Sequence, residues 1–188
     1  ALATMHGKTK GNPRSSGYRR AARDLYVEPE WAVEALIDAE PNLPEPIWDP
    51  ACGTGTIPTV FRRRGFAAYG TDIAAGHDFL DRPLLTPQQF GSIVTNPPYK
   101  HAQAFVESAL GLDVDVAAFL LPLKWLESTR RGPLFDRQLL ARVWVFRRRV
   151  PIAPLIAPRA LERGTFIAYA WFVWRRGLQG PPTIGWLP

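Results

Sequence analysis

The segment from residue 46 to residue 64 constrains the fold most, because it combines a strand, a glycine loop and a helix. Residues 46–49 predict a short buried strand ending in Asp49, and residues 57–64 predict a helix with a proline in its first turn. In the loop between them, Gly53 and Gly55 allow positive φ and a close approach of the backbone to a ligand. Asp49 can accept from an ammonium group. The loop has too few glycines for a dinucleotide fingerprint, which argues against NAD.

A second carboxylate follows at an informative distance. Residues 67–72 predict another short strand, which ends in Asp72, 23 residues after Asp49. Sheets of this kind place an acid on ribose hydroxyls at an offset of roughly 20 residues. We therefore expect Asp72 to bind a ribose and Ile73 to pack on the attached base.

The segment Asn96-Pro97-Pro98-Tyr99 points to a reaction. It follows residues 90–95, which predict a buried parallel strand, so it lies where ligands bind in open α/β sheets. The prolines stiffen the turn, and the Asn96 side-chain oxygen and the Pro97 carbonyl form an acceptor pair beside the Tyr99 ring. Such a pair suits a planar group carrying –NH2, because hydrogen bonds accepted from it draw the nitrogen toward tetrahedral geometry while the ring fixes the angle of attack.

These residues resemble S-adenosylmethionine-dependent amino-methyltransferases. Asn96-Pro97-Pro98-Tyr99 matches the Asn/Asp-Pro-Pro-aromatic signature of phage-type and orphan DNA adenine methyltransferases, which some RNA adenine and protein glutamine methyltransferases share. The loop resembles motif I of class I methyltransferases, and the resemblance covers residues 25–174. It implies an α/β fold of the class I methyltransferase (Rossmann-like) type, a mostly parallel seven-stranded sheet with helices on both faces and a reversed last strand.

The resemblance also assigns site residues. The catalytic group would be Asn96, Pro97, Pro98 and Tyr99. The cofactor-binding group would be Tyr26, Pro29, Asp49, Pro50, Ala51, Cys52, Gly53, Gly55, Thr56, Asp72, Ile73, Asp78, Phe79 and Asn96.

Three of these assignments leave alternatives open. Tyr26-Val27-Glu28-Pro29 matches the family's Tyr/Phe-x-Thr-Pro segment except that Glu28 replaces threonine, so plain helix packing is an equal alternative. Asp78 would accept from the adenine amino group or cap a turn. Either Phe166 or Trp171 would close over the target base.

The implied activity is transfer of a methyl group from S-adenosylmethionine to the 6-amino group of adenine, with DNA favoured. An RNA adenine methyltransferase and a protein glutamine methyltransferase are the alternatives. A nucleic-acid-binding module without enzymatic activity is disfavoured because both motifs are intact. We expect residues 24–188 to form a single methyltransferase domain without a separate target-recognition domain.

The net charge of +6 is concentrated in residues 1–23, where six bases and no acid occur. The other 17 bases balance the 17 acids. We expect this glycine-rich segment to be a flexible basic arm that contacts nucleic acid, with a merely solubilising tail as the alternative. Its bases are Lys8, Lys10, Arg14, Arg19, Arg20 and Arg23.

Composition narrows the remaining classes. The single cysteine, Cys52, excludes an internal disulfide, and His6, His77 and His101 have no metal-ligand spacing. No apolar run reaches the length of a membrane span, and the amino terminus has no apolar core of a secretory signal. We expect a cytoplasmic protein with no metal and no membrane partner; the oligomeric state is left open.

Beyond residue 100 the sequence predicts helices at 102–110 and 135–140 and strands at 114–121, 142–146 and 166–174. Lys124 and Trp125 follow the first of these strands. A packed Trp125 with a solvated Lys124 is favoured over a role in contacting substrate.

Overall fold

The computed structural model describes residues 26–81, 90–136, 140–154 and 167–188. The basic arm and Phe166 lie outside the described residues. The strands are β1 (Tyr26–Val27), β2 (Ile47–Asp49), β3 (Ala68–Gly70), β4 (Ser92–Thr95), β5 (Val116–Pro122), β6 (Leu140–Phe146), β7 (Ala153–Pro154), β8 (Tyr169–Arg175) and β9 (Thr183–Leu187). The α-helices are α1 (Glu30–Ala39), α2 (Thr56–Arg63), α3 (Ala102–Leu110) and α4 (Gly132–Asp136).

Seven strands form the main sheet, in the order β3-β2-β4-β5-β8-β6-β9. Strands β2 to β5 are mutually parallel, and β8 runs antiparallel to both β5 and β6. The expected seven-stranded, mostly parallel sheet is confirmed, but the reversed strand, expected to be the last one, is β8. The sequence did not indicate the last strand, β9. It lies outermost in the sheet, next to β6, and pairs parallel to it.

The core lies on both faces of the sheet. On one face, α1 and α2 bury Leu36 and Phe61 against Val94 and neighbouring strand residues. On the other, α3 buries Phe105 and Val106. Both faces of β5 are covered, and this explains its continuous apolar sequence, since a strand that faces water on one side would alternate.

Register places several strand ends at one edge of the sheet. Thr95 of β4 is level with Phe119 of β5, and Pro122 of β5 is level with Tyr169 of β8. On the far side of β8, Val145 of β6 is level with Ala170. The residues that follow β2, β4, β5 and β6 therefore share one side of the molecule, which we call the carboxyl edge.

The helix predicted at 135–140 is wrong in its bounds. Helix α4 spans Gly132–Asp136, and Leu140 already belongs to β6, where it is buried and pairs with Trp174. Leu140 thus begins a buried strand. Pro133 suits a first helical turn, which accounts for the earlier start.

No helix in the described part of the chain is long and apolar enough to cross a membrane.

Candidate active site at the carboxyl edge

The glycine loop after β2 is fixed by the carboxylate of Asp72. Gly53 and Gly55 have φ of 52° and 84°, and Gly55 is the N-cap of α2, which begins at Thr56. Asp72 follows β3 and accepts hydrogen bonds from the backbone N–H groups of Gly53 and Ala74, both at 2.9 Å. Its side chain is buried beneath the loop. One acid therefore joins the ends of two adjacent strands.

Asp49 makes a similar connection on the other side of β2. It is only 2% exposed, and its Oδ1 accepts from the backbone N–H of Ala51 at 3.1 Å and from the Thr95 hydroxyl at 2.7 Å. Thr95 is the last residue of β4 and immediately precedes Asn96. The carboxylate thus sets the start of the glycine loop relative to Asn96.

A narrow cleft lies between these loops. Six of the residues that the resemblance assigns to the cofactor line it: Pro50, Ala51, Asp72, Ile73, Asp78 and Phe79. The rest of its lining is His77, Pro98 and Phe105.

Two of the cleft residues have defined local partners. Asp78 accepts from the Leu80 N–H at 3.0 Å, so it caps a turn. Capping of a turn was one of the two roles expected for it. Phe79 is buried against Trp48 and Phe105, which makes it a fixed wall of the cleft.

Cys52 belongs to the loop rather than to the cleft lining. The Cys52 backbone N–H donates to the Thr71 carbonyl at 3.0 Å. A Cβ added at Gly70 would lie only 2.8 Å from the Cβ of Cys52. The half-buried thiol therefore packs the glycine loop tightly against the end of β3.

Asn96 is buried and its amide has one defined orientation. The Nδ2 group donates to Glu28 Oε2 at 2.9 Å and to the Tyr26 carbonyl at 3.3 Å. The Oδ1 atom accepts from the Tyr99 hydroxyl at 2.9 Å. A flipped amide would set its oxygen against two acceptors and its N–H groups against a hydroxyl, so the network fixes Oδ1 as the acceptor facing Tyr99.

Glu28 is a member of this network that the sequence alone did not assign to the site. Its side chain is 6% exposed, just before α1 begins at Glu30, and it is bonded to an amide 68 residues away. The only sequence signal was its departure from the threonine of the resembled family. The segment beginning at Tyr26 therefore lies beside Asn96, where it was expected to contact a cofactor.

The prolines between Asn96 and Tyr99 are both buried. The Pro98 carbonyl accepts from the His101 N–H at 2.8 Å, which starts a short 3-10 turn. Among the described residues no donor contacts the Pro97 carbonyl, consistent with its predicted role as an acceptor.

Tyr99 lies between two other tyrosines. Its ring centroid is 5.4 Å from that of Tyr26 and 5.7 Å from that of Tyr169, the first residue of β8. Burial, together with the neighbouring Tyr169 and the charge of Glu28, raises the pKa of Tyr99 well above its ordinary value. The hydroxyl therefore stays protonated and donates to Asn96.

Trp171 is part of the core and not of the site. It is fully buried, and its indole N–H donates to the Ala32 carbonyl at 2.8 Å. Tyr169, two residues earlier, is the β8 aromatic that reaches Tyr99. Trp125 is also buried while Lys124 is exposed, as the favoured interpretation required.

Among the described residues, no three histidine, cysteine or acidic side chains converge on a point where a metal could bind.

The strand order, the reversed β8 and the loops at the carboxyl edge define the class I methyltransferase fold. One solved structure with this fold is a putative class I S-adenosylmethionine-dependent methyltransferase from Listeria monocytogenes (TM-score 0.53, 14% identity), and the match covers 84% of this chain and 62% of that one. The chain thus spans less than two thirds of that protein.

Two further structures match over most of both chains. A putative RNA methyltransferase from Pyrococcus horikoshii has a TM-score of 0.55 and 9% identity over 86% of this chain and 91% of that chain. The magnesium protoporphyrin IX methyltransferase of Synechocystis PCC 6803, solved with bound S-adenosylmethionine, has a TM-score of 0.52 and 15% identity over 79% of each chain. At these identities the likeness concerns the fold. No protein-family model and no curated protein matches the sequence.

Proposed function

We propose that this protein transfers a methyl group from S-adenosylmethionine to a planar amino group, with the 6-amino group of adenine in DNA as the favoured acceptor. The observation that carries the proposal is the oriented amide of Asn96 at the carboxyl edge. Its oxygen is presented beside an aromatic ring, next to a cleft whose lining suits a nucleoside.

The residues present fit the cofactor. A Cβ added at Gly55 would have no atom within 4 Å, so open space faces the loop there. The cleft offers apolar walls at Ile73 and Phe79 and carboxylates at Asp72 and Asp78. Ribose hydroxyls and an adenine amino group are the donors that such carboxylates bind. When bound, S-adenosylmethionine supplies an electrophilic methyl group on a sulfonium.

Asn96 would activate the acceptor. The Tyr99 hydroxyl, 2.9 Å from Oδ1, marks where a substrate N–H would donate. With a substrate amine in that place, Oδ1 and the Pro97 carbonyl would each accept one N–H and localise the nitrogen lone pair. The Tyr99 ring, released from its hydroxyl bond, would stack on the flat face of the base. The amine loses its surplus proton to solvent, so no side-chain base is required.

The tyrosine cluster favours a base over a carboxamide as the acceptor. Tyr26, Tyr99 and Tyr169 pack side by side, Tyr26 and Tyr99 are only half-buried, and a heteroaromatic ring gains about 1–3 kcal/mol from stacking on an aromatic side chain. A glutamine side chain has the same planar –NH2 group but no ring to stack. RNA adenine is therefore the second candidate and protein glutamine the third. In a duplex the target base would have to be flipped out.

The experiment offers S-adenosylmethionine carrying a labelled methyl group to duplex DNA, single-stranded DNA, RNA and a protein extract in parallel. We expect label in N6-methyladenine after digestion of a DNA sample. Label only in RNA would move the assignment to RNA, and label only in protein would contradict the nucleic-acid assignment. No transfer to any of the four would contradict the proposed activity.

A further inference from the structure

An exposed run of three arginines lies at the carboxyl edge. Arg147, Arg148 and Arg149 follow β6, and all three are exposed. Two more exposed bases, Lys124 and Arg130, lie in the segment that follows β5 at the same edge.

Packing fixes the arginine run at the edge of the sheet that also holds Asn96. The Arg148 guanidinium lies 3.7 Å from the ring centroid of Trp31, which itself packs edge-on against Phe146. A few residues later β7 pairs with β1, the strand whose Tyr26 carbonyl accepts from Asn96. The segment that carries the run is thus anchored on both sides of the arginines.

These five bases differ in their ion pairing from the chain's other arginine run. The chain has a second triple-arginine run, residues 62–64, shortly before β3 begins at the opposite edge. There Arg63 pairs with Glu30 and Glu34, and Arg64 pairs with Asp38. No described acid forms a salt bridge with residues 147–149, Lys124 or Arg130. Five exposed bases without a salt bridge to a described acid therefore lie at the carboxyl edge, the edge at which Asn96 follows β4.

We propose that Arg147 and Arg149, with Lys124 and Arg130, bind the phosphodiester backbone of a nucleic-acid strand whose target base reaches Asn96. The inference rests on the proposed function and adds a binding surface that is independent of the arm. Guanidinium groups match phosphate in geometry and charge, and Arg148, held on Trp31, keeps the segment in place.

The span fits a short stretch of one strand. From β4, which Asn96 follows, to β6 the sheet crosses three strand spacings, or about 14 Å. That distance corresponds to about four nucleotide steps of a strand in B-form geometry, which rises roughly 3.4 Å per nucleotide along the helix axis.

The test measures binding of fluorescent single-stranded DNA and RNA of the same sequence to the full chain between about 50 and 200 mM salt. The variant is Arg147→Gln/Arg149→Gln, and the matched control is Arg62→Gln/Arg64→Gln, which removes the same charge from the other run. Each lost phosphate contact reduces the magnitude of the slope of log affinity against log salt by about 0.7. The slope of the edge variant should therefore fall by about 1.4, and the slope of the control should stay close to that of the parent. Equal unfolding temperatures of the two variants would show that both keep the fold. Arg149→Gln alone is a milder variant, and it should change the salt slope by about half as much.

A parental slope in the edge variant overturns the proposal, as does an equal loss in the control, which would mean that only net charge matters. The oligonucleotide that shows the larger loss identifies the source of the backbone. Methyl transfer to the same oligonucleotides separates the two claims. If the parent protein methylates the oligonucleotides but the edge variant keeps the parental salt slope, only the proposed binding surface is refuted. If the parent protein methylates none of them but the edge variant loses slope as expected, only the proposed function is refuted.

Discussion

At the scale of single residues, the chemistry depends on which atom of one amide faces the substrate. An asparagine side chain can rotate by 180° and exchange its oxygen and nitrogen, and only the oxygen can accept from an amine. Here Glu28 and the Tyr26 carbonyl occupy both amide hydrogens. Because an unpaired buried polar group costs about 1–3 kcal/mol, these two acceptors keep Oδ1 toward the site.

Glu28→Gln should lower turnover because a neutral amide can either donate or accept and no longer enforces one orientation of Asn96. Loss of a hydrogen bond to a charged group is worth about 1.5–3 kcal/mol, or about one to two decades in kcat. Cofactor affinity should change little, because the bond acts on Asn96. Kinetics of methyl transfer, with calorimetry of cofactor binding, measures both.

The matched control is Glu34→Gln, which removes an acid of α1 that pairs at the surface with Arg63. Its kcat should equal that of the parent. A Glu28→Gln enzyme with unchanged kcat, or with a loss confined to cofactor affinity, would contradict the positioning role.

Sequence reasoning could name Asn96, Tyr99 and Tyr26 because each lies in a short local pattern. It could not find the contacts among them. The bonds from Asn96 to Glu28 and Tyr26 join residues 68 and 70 positions apart, and no local pattern records such a pairing. Tyr169 was missed because an aromatic side chain in a strand usually belongs to the core.

At the scale of elements, the site is built by tying strand ends together. Thr71 N–H donates to Asp49 O, Gly53 N–H donates to Asp72, and Thr95 donates to Asp49. Hydrogen bonds therefore join the ends of three parallel strands and the glycine loop, and a ligand bound in the cleft would contact residues that follow all three strands.

Asp72→Asn should weaken cofactor binding. The substitution removes the charge that would face the ribose, and its amide N–H groups cannot replace both bonds to the backbone of Gly53 and Ala74. The expected loss is about 1.5–3 kcal/mol, or about one to two decades in Kd, measured by calorimetry. Asp38→Asn, an exposed acid of α1, is the control. Unchanged affinity for the cofactor in Asp72→Asn would exclude Asp72 as its ligand.

The order of strands and helices around the site could be predicted from residues 46–99, because glycine, proline and a buried strand mark each boundary. Strand β9 could not. Ile184 and Trp186 are 59% and 60% exposed, so its pairing with β6 leaves no buried apolar run in the sequence. The helix predicted at 135–140 was misplaced for a related reason, because a short apolar run suits either a helix or a strand.

At the scale of the whole molecule, a buried carboxylate joins α1 to the sheet. Glu40, 4% exposed at the end of α1, accepts from Arg142 and Trp144 of β6 and from Arg175 of β8. Burial alone would raise the pKa of Glu40, but the hydrogen bonds from Arg142 and Trp144 and the charges of both arginines lower it below its ordinary value.

Because the folded pKa of Glu40 lies below the unfolded one, the cluster stabilises the fold at pH values above the unfolded pKa. That contribution is lost as pH falls through the folded pKa. Glu40→Gln should therefore reduce the free energy of unfolding at pH 7 by about 1–3 kcal/mol, and less as the pH falls below about 4. Urea denaturation at several pH values measures this difference. A difference from the parent that stays constant from pH 7 to pH 3 would contradict the ion-pair account.

The central claim is that the Asn96 amide oxygen activates an amine for methylation, and the most direct measurement is single-turnover methyl transfer by Asn96→Ala. Asn42→Ala, an exposed asparagine at the opposite edge, is the control. We predict that Asn96→Ala lowers the rate by about 10²–10³, as removal of one preorganised polar contact does, while cofactor affinity and the Asn42→Ala rate stay near those of the parent. A rate in Asn96→Ala within about threefold of the parent, less than about 0.7 kcal/mol of barrier, would contradict the claim.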